Sequence, residues 1–252
     1  MVKSRARKRD NRKFYMTLGA IALVGAAMVA YAMTRPSAAD TVTTIDPSLL
    51  RAGAPQGFVM GSETAPVEIV EYGDFECGWC AQFAMVTEPD LRQRLVETGQ
   101  ARFRFVDFPL SMHRNTMPAH LAAGCAADQN KFWEMHDRIF RGQNDWNAAA
   151  TSNPKRVLQG YARELGLDED AWEECFDSKK HLPRIQASVA EGNRLRVSST
   201  PTFIINGKMI TSAVTYDRLK AMVDSAAAAA PAKAPAAVPP ATPGSTPAPP
   251  RP

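Results

Sequence analysis

Cys77 and Cys80 stand two residues apart in Phe75-Glu76-Cys77-Gly78-Trp79-Cys80, just after the apolar-rich segment Val67-Glu68-Ile69-Val70-Glu71-Tyr72. A strand that runs into a helix opening with Cys-x-x-Cys has the layout thiol–disulfide exchange requires. The first cysteine falls at a helix N-terminus, where unpaired backbone N–H groups and the helix dipole favour thiolate over thiol. The second follows one turn on, within reach to resolve a mixed disulfide by internal attack. The competing readings are an inert bridge or half a zinc site. Zinc takes four ligands, and neither a second Cys-x-x-Cys nor a histidine pair accompanies Cys125 or Cys175. The four histidines, His113, His120, His136 and His181, are scattered without ligand spacing and read as ordinary helix-surface or packing residues.

The elements that must position this pair follow from periodicity. Val67–Tyr72 and Ala101–Phe108 read as strands by their β-branched and aromatic content. Between them, the spacing of Phe83, Val86, Leu91 and Leu95 predicts a helix over Cys77–Thr98. Thr202–Ile210 carries Asn206-Gly207, a type I′ hairpin signal, and Thr215 with Leu219, Met222 and Val223 reads as a capped last helix. A long helical stretch, about Pro118 to Arg194, is punctuated at Gly142 and at Gly166–Asp168. The order strand, helix, strand, helical stretch, hairpin, helix is a mixed α/β plan.

Both ends of the chain stand apart from this unit. Residues 1–13 hold seven Lys or Arg against Asp10, and Phe14 to Met33 is a 20-residue run without a charge. At helical rise that run spans about 30 Å, the thickness of a bilayer's hydrocarbon core. The basic flank places the N-terminus in the cytoplasm and the rest outside. An uncleaved signal-anchor fits the uncharged length; Ala30-Tyr31-Ala32 keeps open a cleaved signal peptide and a soluble, exported product. The net charge is +4, of which +6 lies in the first 13 residues, so the remainder is about −2 and offers no nucleic-acid-binding surface. Residues 34–56 read as linker. Residues 226–252, with 11 Ala and 9 Pro, read as an extended disordered tail. The folded unit is then 57–225.

Taken together, Cys77-Gly78-Trp79-Cys80 after a strand, Thr200-Pro201 entering a late hairpin, and helices inserted between them resemble the DsbA-like thiol–disulfide oxidoreductases, exported and membrane-anchored proteins of the thioredoxin fold. Two features depart from that pattern: Ser199 precedes Thr200-Pro201 where glycine is commoner, and Gly78-Trp79 is neither the Pro-His of the archetypal oxidase nor the Gly-Pro of thioredoxin.

The resemblance implies an α/β thioredoxin-like fold with a helical insertion. It implies Cys77 as nucleophile, Cys80 as buried resolving thiol, and Glu71, six residues before Cys77, as a buried acid exchanging a proton with Cys80. Gly78-Trp79 carries no ionisable side chain, so any depression of the Cys77 pKa is expected mostly from backbone amides and the dipole. Thr200-Pro201 is implied to be cis and, with Gly78 and Trp79, to hold an extended substrate by strand addition. Four cysteines allow three pairings; sequence separation favours 77–80 with 125–175, and some DsbA-like proteins carry a second, structural disulfide at comparable positions.

The expected activity is oxidation of exported proteins by the Cys77–Cys80 disulfide. Reductase or isomerase action is the alternative, and a non-catalytic peptide-binding protein of the envelope a further one. No cofactor beyond that redox-active disulfide and no metal is expected. The expected partners are unfolded or partly folded exported chains with free thiols, with a membrane reoxidant, and the expected state is a monomer.

Overall fold

The computed structural model describes residues 12–34, 42–51 and 57–229. The basic segment up to residue 11 and the stretch 230–252 read as a tail lie outside the described residues. Helix α1 (Arg12–Thr34) contains the apolar run; its stretch Phe14–Tyr31 is long and apolar enough to cross a membrane, and none of it is buried.

A six-stranded sheet carries the folded unit, in the order β1-β6-β5-β3-β4-β2. Its centre is β3 (Val67–Gly73), parallel to β4 (Ala101–Asp107) and antiparallel to β5 (Thr202–Ile205). Both central strands are almost wholly buried, which is why Val67–Tyr72 is apolar on both faces save at Glu68 and Glu71. The hairpin β5–β6 (Lys208–Ile210) closes through Asn206 and Gly207, at φ 47° and 73°, the paired positive values that a type I′ turn demands.

Two short strands cap the sheet. β2 (Phe58–Met60) pairs with β4, and β1 (Val42–Thr44) pairs with β6. Strand β1 lies inside the segment 34–56 read as linker, so part of that segment belongs to the fold. Ile45 is buried behind it, and Arg194 donates to the Leu49 carbonyl. Alternation too short for a period-2 pattern hid this strand; its place is fixed by an open sheet edge.

One sheet face packs Val70, Tyr72, Val106, Phe108 and Ile204 under α9 (Leu182–Arg194). There Gly192 admits the rings of Phe108 and Tyr72, where a Cβ would sit 2.5 Å from one and 3.1 Å from the other. The opposite face, bearing Ile69, Glu71, Phe103 and Phe105, is covered by the segment after Cys77, by α10 (Tyr216–Ala229) and by the inserted helices other than α9. The insertion comprises α4 (Thr116–Ala127), α5 (Phe132–Arg141), the short α6 (Gln143–Trp146), α7 (Pro154–Glu164), α8 (Glu169–Asp177) and α9. A disulfide joins Cys125 on α4 to Cys175 on α8, with Cα atoms 5.7 Å apart. Closing a loop of separation 50 contributes roughly 4 kcal/mol in the chain-entropy account.

Two boundaries differ from the sequence reading. The predicted single helix over Cys77–Thr98 is instead α2 (Gly78–Gln82), a wide π turn at Phe83–Thr87, α3 (Glu88–Leu91) and a second π turn at Arg92–Val96. Pro89 is the physical reason for the first widening: it lacks an N–H and its ring crowds the preceding turn, so the ladder slips by one residue. At the other end α10 runs to Ala229, past residue 225, with Ala226 buried. Alanine is the best helix former, and the first proline of the tail is Pro231.

Candidate active site

Cys77 is the N-cap of α2, with extended backbone (φ −73°, ψ 123°), and its carbonyl accepts from Ala81 N at 3.0 Å. It sits at the end of β3 after a turn organised by Asp74. That carboxylate is fully buried and accepts from the N–H groups of Glu76 and Leu110, from the Thr116 hydroxyl, and pairs with His113 Nδ1 at 2.8 Å. From α6, Gln143 Nε2 donates to the carbonyls of Phe75 and Cys77. From the loop before α4, the Asn115 amide donates to Glu76, as does Ala148 N. The turn that presents Cys77 is thus pinned from the sheet and from the insertion together.

The two thiols are unbonded and differ sharply in surroundings. Cys77 is 6% exposed and Cys80 not at all. Between them, Gly78 is open, with nothing near where a Cβ would lie, and the Trp79 side chain is 63% exposed. The Cys77 thiol donates to the Thr200 carbonyl at 3.3 Å, so the late Thr200-Pro201 pair lies against the nucleophile. The Thr200–Pro201 bond is cis. The Thr200 hydroxyl is buried and has no partner while Cys77 is a thiol, leaving it to serve the thiolate.

These contacts set opposite acidities. The Cys80 thiol hydrogen-bonding to the Cys77 sulfur is the chief influence on Cys77; burial opposes it, and the Thr200 hydroxyl with the backbone N–H groups of Cys80 and Trp79 adds to it. The result is a Cys77 pKa of about 5. Sequence reasoning assigned this depression to amides and dipole; the neighbouring thiol outweighs them. Cys80 goes the other way: burial, the same hydrogen bond, and the charge of Glu71 push its thiol well above the ordinary value. At neutral pH the pair therefore holds one thiolate, at the N-terminal end of the helix.

Glu71 is 1% exposed, and neither carboxyl oxygen has a partner. It faces the helix side of β3, between Phe105 of β4 and Phe203 of β5 in register. Burial, then the charges of Glu88 and Cys77, raise its pKa far above 4.5, with Arg92 opposing. The folded chain accordingly keeps the Glu71 proton where the unfolded chain has lost it, so stability falls as pH rises above about 4.5. Replacing Glu71→Gln removes that loss. The variant is expected to gain stability relative to the parent as pH rises above about 4.5 and to show no such gain near pH 4, read from denaturant midpoints at pH 7.5 and pH 4.

Sequence reasoning brought Cys77, Cys80, Glu71, Gly78, Trp79, Thr200 and Pro201 to one place, and Cys125 with Cys175 to another. It missed Asp74, Gln143 and the carboxylate partners of the histidines. Each of the four is paired with a carboxylate: His113 with Asp74, His120 with Asp107, His136 with Asp137, His181 with Asp128. Of the two readings offered for them, packing holds for His120 and His136, which are fully buried among aromatic rings. Only the adjacent pair His136-Asp137 was visible in the sequence.

Residues 54–225 match the family model described as thioredoxin. Among curated relatives, the chain is 35% identical over 190 residues to Na(+)/H(+) antiporter NhaA 1 of Salinispora arenicola, a match covering 75% of this chain and 26% of that protein. Over 172 residues it is 23% identical to disulfide bond formation protein D of Bacillus subtilis, covering 66% of this chain and 75% of the relative. The chain spans about a quarter of the length of the antiporters it matches. In three dimensions it is similar to oxidised BdbD from Bacillus subtilis, with TM-score 0.61 and 21% identity over 70% of this chain and 97% of that one. It is also similar to Wolbachia pipientis alpha-DsbA1, with TM-score 0.64 and 22% identity over 72% and 96%.

Proposed function

This chain belongs to the thioredoxin family, and from that premise we propose that it is a thiol–disulfide oxidase that donates the Cys77–Cys80 disulfide to exported proteins. The observation that carries the reading is the pairing of a Cys77 thiolate of pKa about 5 with a buried, proton-holding Cys80 against Thr200-Pro201. A low pKa makes Cys77 a good leaving thiolate and stabilises the reduced protein, which drives the disulfide toward oxidising others. The relatives named for disulfide bond formation support the same direction.

In each turnover a substrate thiolate attacks the Cys77 sulfur of the disulfide. The Cys77–Cys80 bond breaks, and Cys80 leaves with the electron pair and takes a proton from Glu71. A second substrate thiolate then attacks the substrate sulfur of the mixed disulfide, and Cys77 departs as thiolate. The substrate loses two electrons and the enzyme gains them, to be passed on to a reoxidant in the membrane.

The Thr200 backbone, Gly78 and Trp79 would hold the extended substrate, main-chain bonds giving breadth of specificity. Helix α1 would anchor the domain, with residues 1–13 on the cytoplasmic side and the folded unit outside, acting as a monomer on unfolded or partly folded chains with free thiols. The Cys125–Cys175 bond would clamp the insertion without taking part in exchange.

The test is the equilibrium reduction potential of the Cys77–Cys80 pair in the full chain, held in detergent and referenced to glutathione. A value more oxidising than about −180 mV is expected; one near −250 mV or below is a reductase's poise and overturns the oxidase assignment.

A further inference from the structure

We infer that β1 is where a membrane leash ties into the fold, at the Cys77 end of the sheet, so that the thiol pair works in a layer close to the bilayer on dithiols of chains attached to that same bilayer. The inference deepens the anchored oxidase reading and rests on it.

The first observation is register. Val42 is opposite Ile210, Ile210 opposite Phe203, and Phe203 opposite Glu71, one row across β1, β6, β5 and β3. The next row toward the end of β3 pairs Tyr72 with Thr202, and just ahead of it the Thr200 carbonyl accepts from the Cys77 thiol at 3.3 Å. From Val42 the strand runs away from that end, to Thr44 opposite Lys208. The chain therefore enters the sheet at the end that carries the chemistry.

The second observation is how the entry is fastened. Beyond the β1–β6 pairing, Ile45 N–H donates to the Gly207 carbonyl at 2.8 Å, and the Ile45 side chain is buried. Leu50 packs over the hairpin turn, 3.2 Å from where a Cβ on Gly207 would lie. From α9, Arg194 donates to the Leu49 carbonyl. A strand of three residues is too short to hold by its ladder alone, and these contacts make it a fixed point.

The third observation is the length of the leash. Helix α1 ends at Thr34 and β1 begins at Val42. The residues between them reach at most about 28 Å, and as a flexible coil about 15 Å. Two strand spacings, about 10 Å, lead from Val42 to Phe203, and the short run back to Thr200 adds at most about 11 Å. Cys77 is thus kept within about 55 Å of the end of α1 however the domain turns, and within about 40 Å at the coil's average length. Were β1 not docked, the first tie would be Phe58 in β2, and the leash alone could reach about 80 Å.

This geometry selects partners by height. A dithiol near the foot of a membrane-attached chain shares the layer with Cys77, and the two meet by diffusion in the plane. A soluble dithiol gains nothing from the leash.

The test places the full chain in phospholipid vesicles, with about 30 Gly/Ser residues inserted either within 35–41, ahead of β1, or within 52–56, behind it. The height is read in chains carrying Cys77→Ser, Cys80→Ser and Met112→Cys. Met112 is 80% exposed, on the loop that Leu110 and His113 tie to Asp74 beside the Cys77 turn. A fluorophore there transfers energy to acceptor headgroups in the bilayer. The insertion ahead of β1 lengthens the coil from about 15 to about 33 Å and is expected to reduce transfer at least roughly twofold; the insertion behind β1 leaves it unchanged. With both thiols in place, oxidation of an acylated dithiol peptide in the same vesicles should slow about twofold with the first insertion only, because the confinement is in height alone. Oxidation of the same peptide without its acyl chain is unchanged by either.

Equal losses of transfer from the two insertions, or none from either, overturn the docking of the leash at β1. An acylated peptide oxidised at one rate with and without the first insertion overturns the membrane-attached client. A chain that does not float with the vesicles overturns the anchor, and the inference with it. A chain that passes the transfer test and oxidises neither peptide overturns the oxidoreductase reading and leaves the docking at β1 in place.

Discussion

Replacing Cys77→Ser reduces disulfide exchange with a reduced, unfolded substrate to background, a loss of at least roughly 1,000-fold. The reason lies in the same contacts that lower its pKa. The Cys80 thiol, the Thr200 hydroxyl and two backbone N–H groups converge on one sulfur and stabilise its anion. A serine hydroxyl at that place stays protonated and forms no disulfide. Cys80→Ala gives a different result: Cys77 survives as a nucleophile but forms mixed disulfides it cannot resolve, which accumulate and are seen as a mass shift on non-reducing gels. Retained exchange in the Cys77→Ser chain would remove this pair from the chemistry. Retained peptide binding with lost exchange is the expected separation of holding from catalysis.

A large loss of stability is expected from Asp107→Ala, at the end of β4 in register with Gly73. Asp107 ends β4, wholly buried, with His120 Nδ1 2.6 Å from Oδ1 and Arg184 donating to Oδ2. Burial alone would push this carboxyl up; the hydrogen bond and charge of His120, then Arg184, hold it below its ordinary 3.8. Removing the carboxylate strands a guanidinium whose Nε and Nη2 are already buried without partners. That costs about 3–5 kcal/mol, or roughly 10 °C in Tm.

Because the folded-state pKa of Asp107 is depressed, its contribution is present above the unfolded value near 4 and is lost as pH falls through the folded value. The gap between parent and variant should therefore narrow in denaturant titrations below pH 4. Adding Arg184→Met to Asp107→Ala removes the stranded charge and should recover most of the loss. A single variant as stable as the parent at pH 7 would show that Arg184 swings out to water instead.

What could be read in the chain was local. The Cys77–Cys80 spacing, the β-branched and aromatic content of Val67–Tyr72 and the Asn206-Gly207 turn each depend on a few adjacent residues, and the order of elements carried the fold. What could not be read depends on the fold itself. Asp107, His120 and Arg184 meet from β4, α4 and α9, and no pattern along the chain relates positions 107 and 184. Glu88 lies within the stretch predicted as one continuous helix over Cys77–Thr98; it is buried where the π turns reset the register around Pro89. The first turn of the sheet edge, Val42–Thr44, is three exposed residues whose strand state exists only because β6 is there to pair with.

Those two outermost strands, β1 and β2, are each three residues long. An open sheet edge is a template on which any extended chain can add hydrogen bonds, and under the proposed function the protein would meet extended chains at every turnover. With its long strands β3 and β4 in the interior and only stubs at the rim, this sheet offers a client no run of backbone long enough to nucleate on. On the proposed reading, strand addition would be confined to the Thr200-Pro201 cleft, where release follows chemistry, and the protein would be kept from seeding aggregates of its clients.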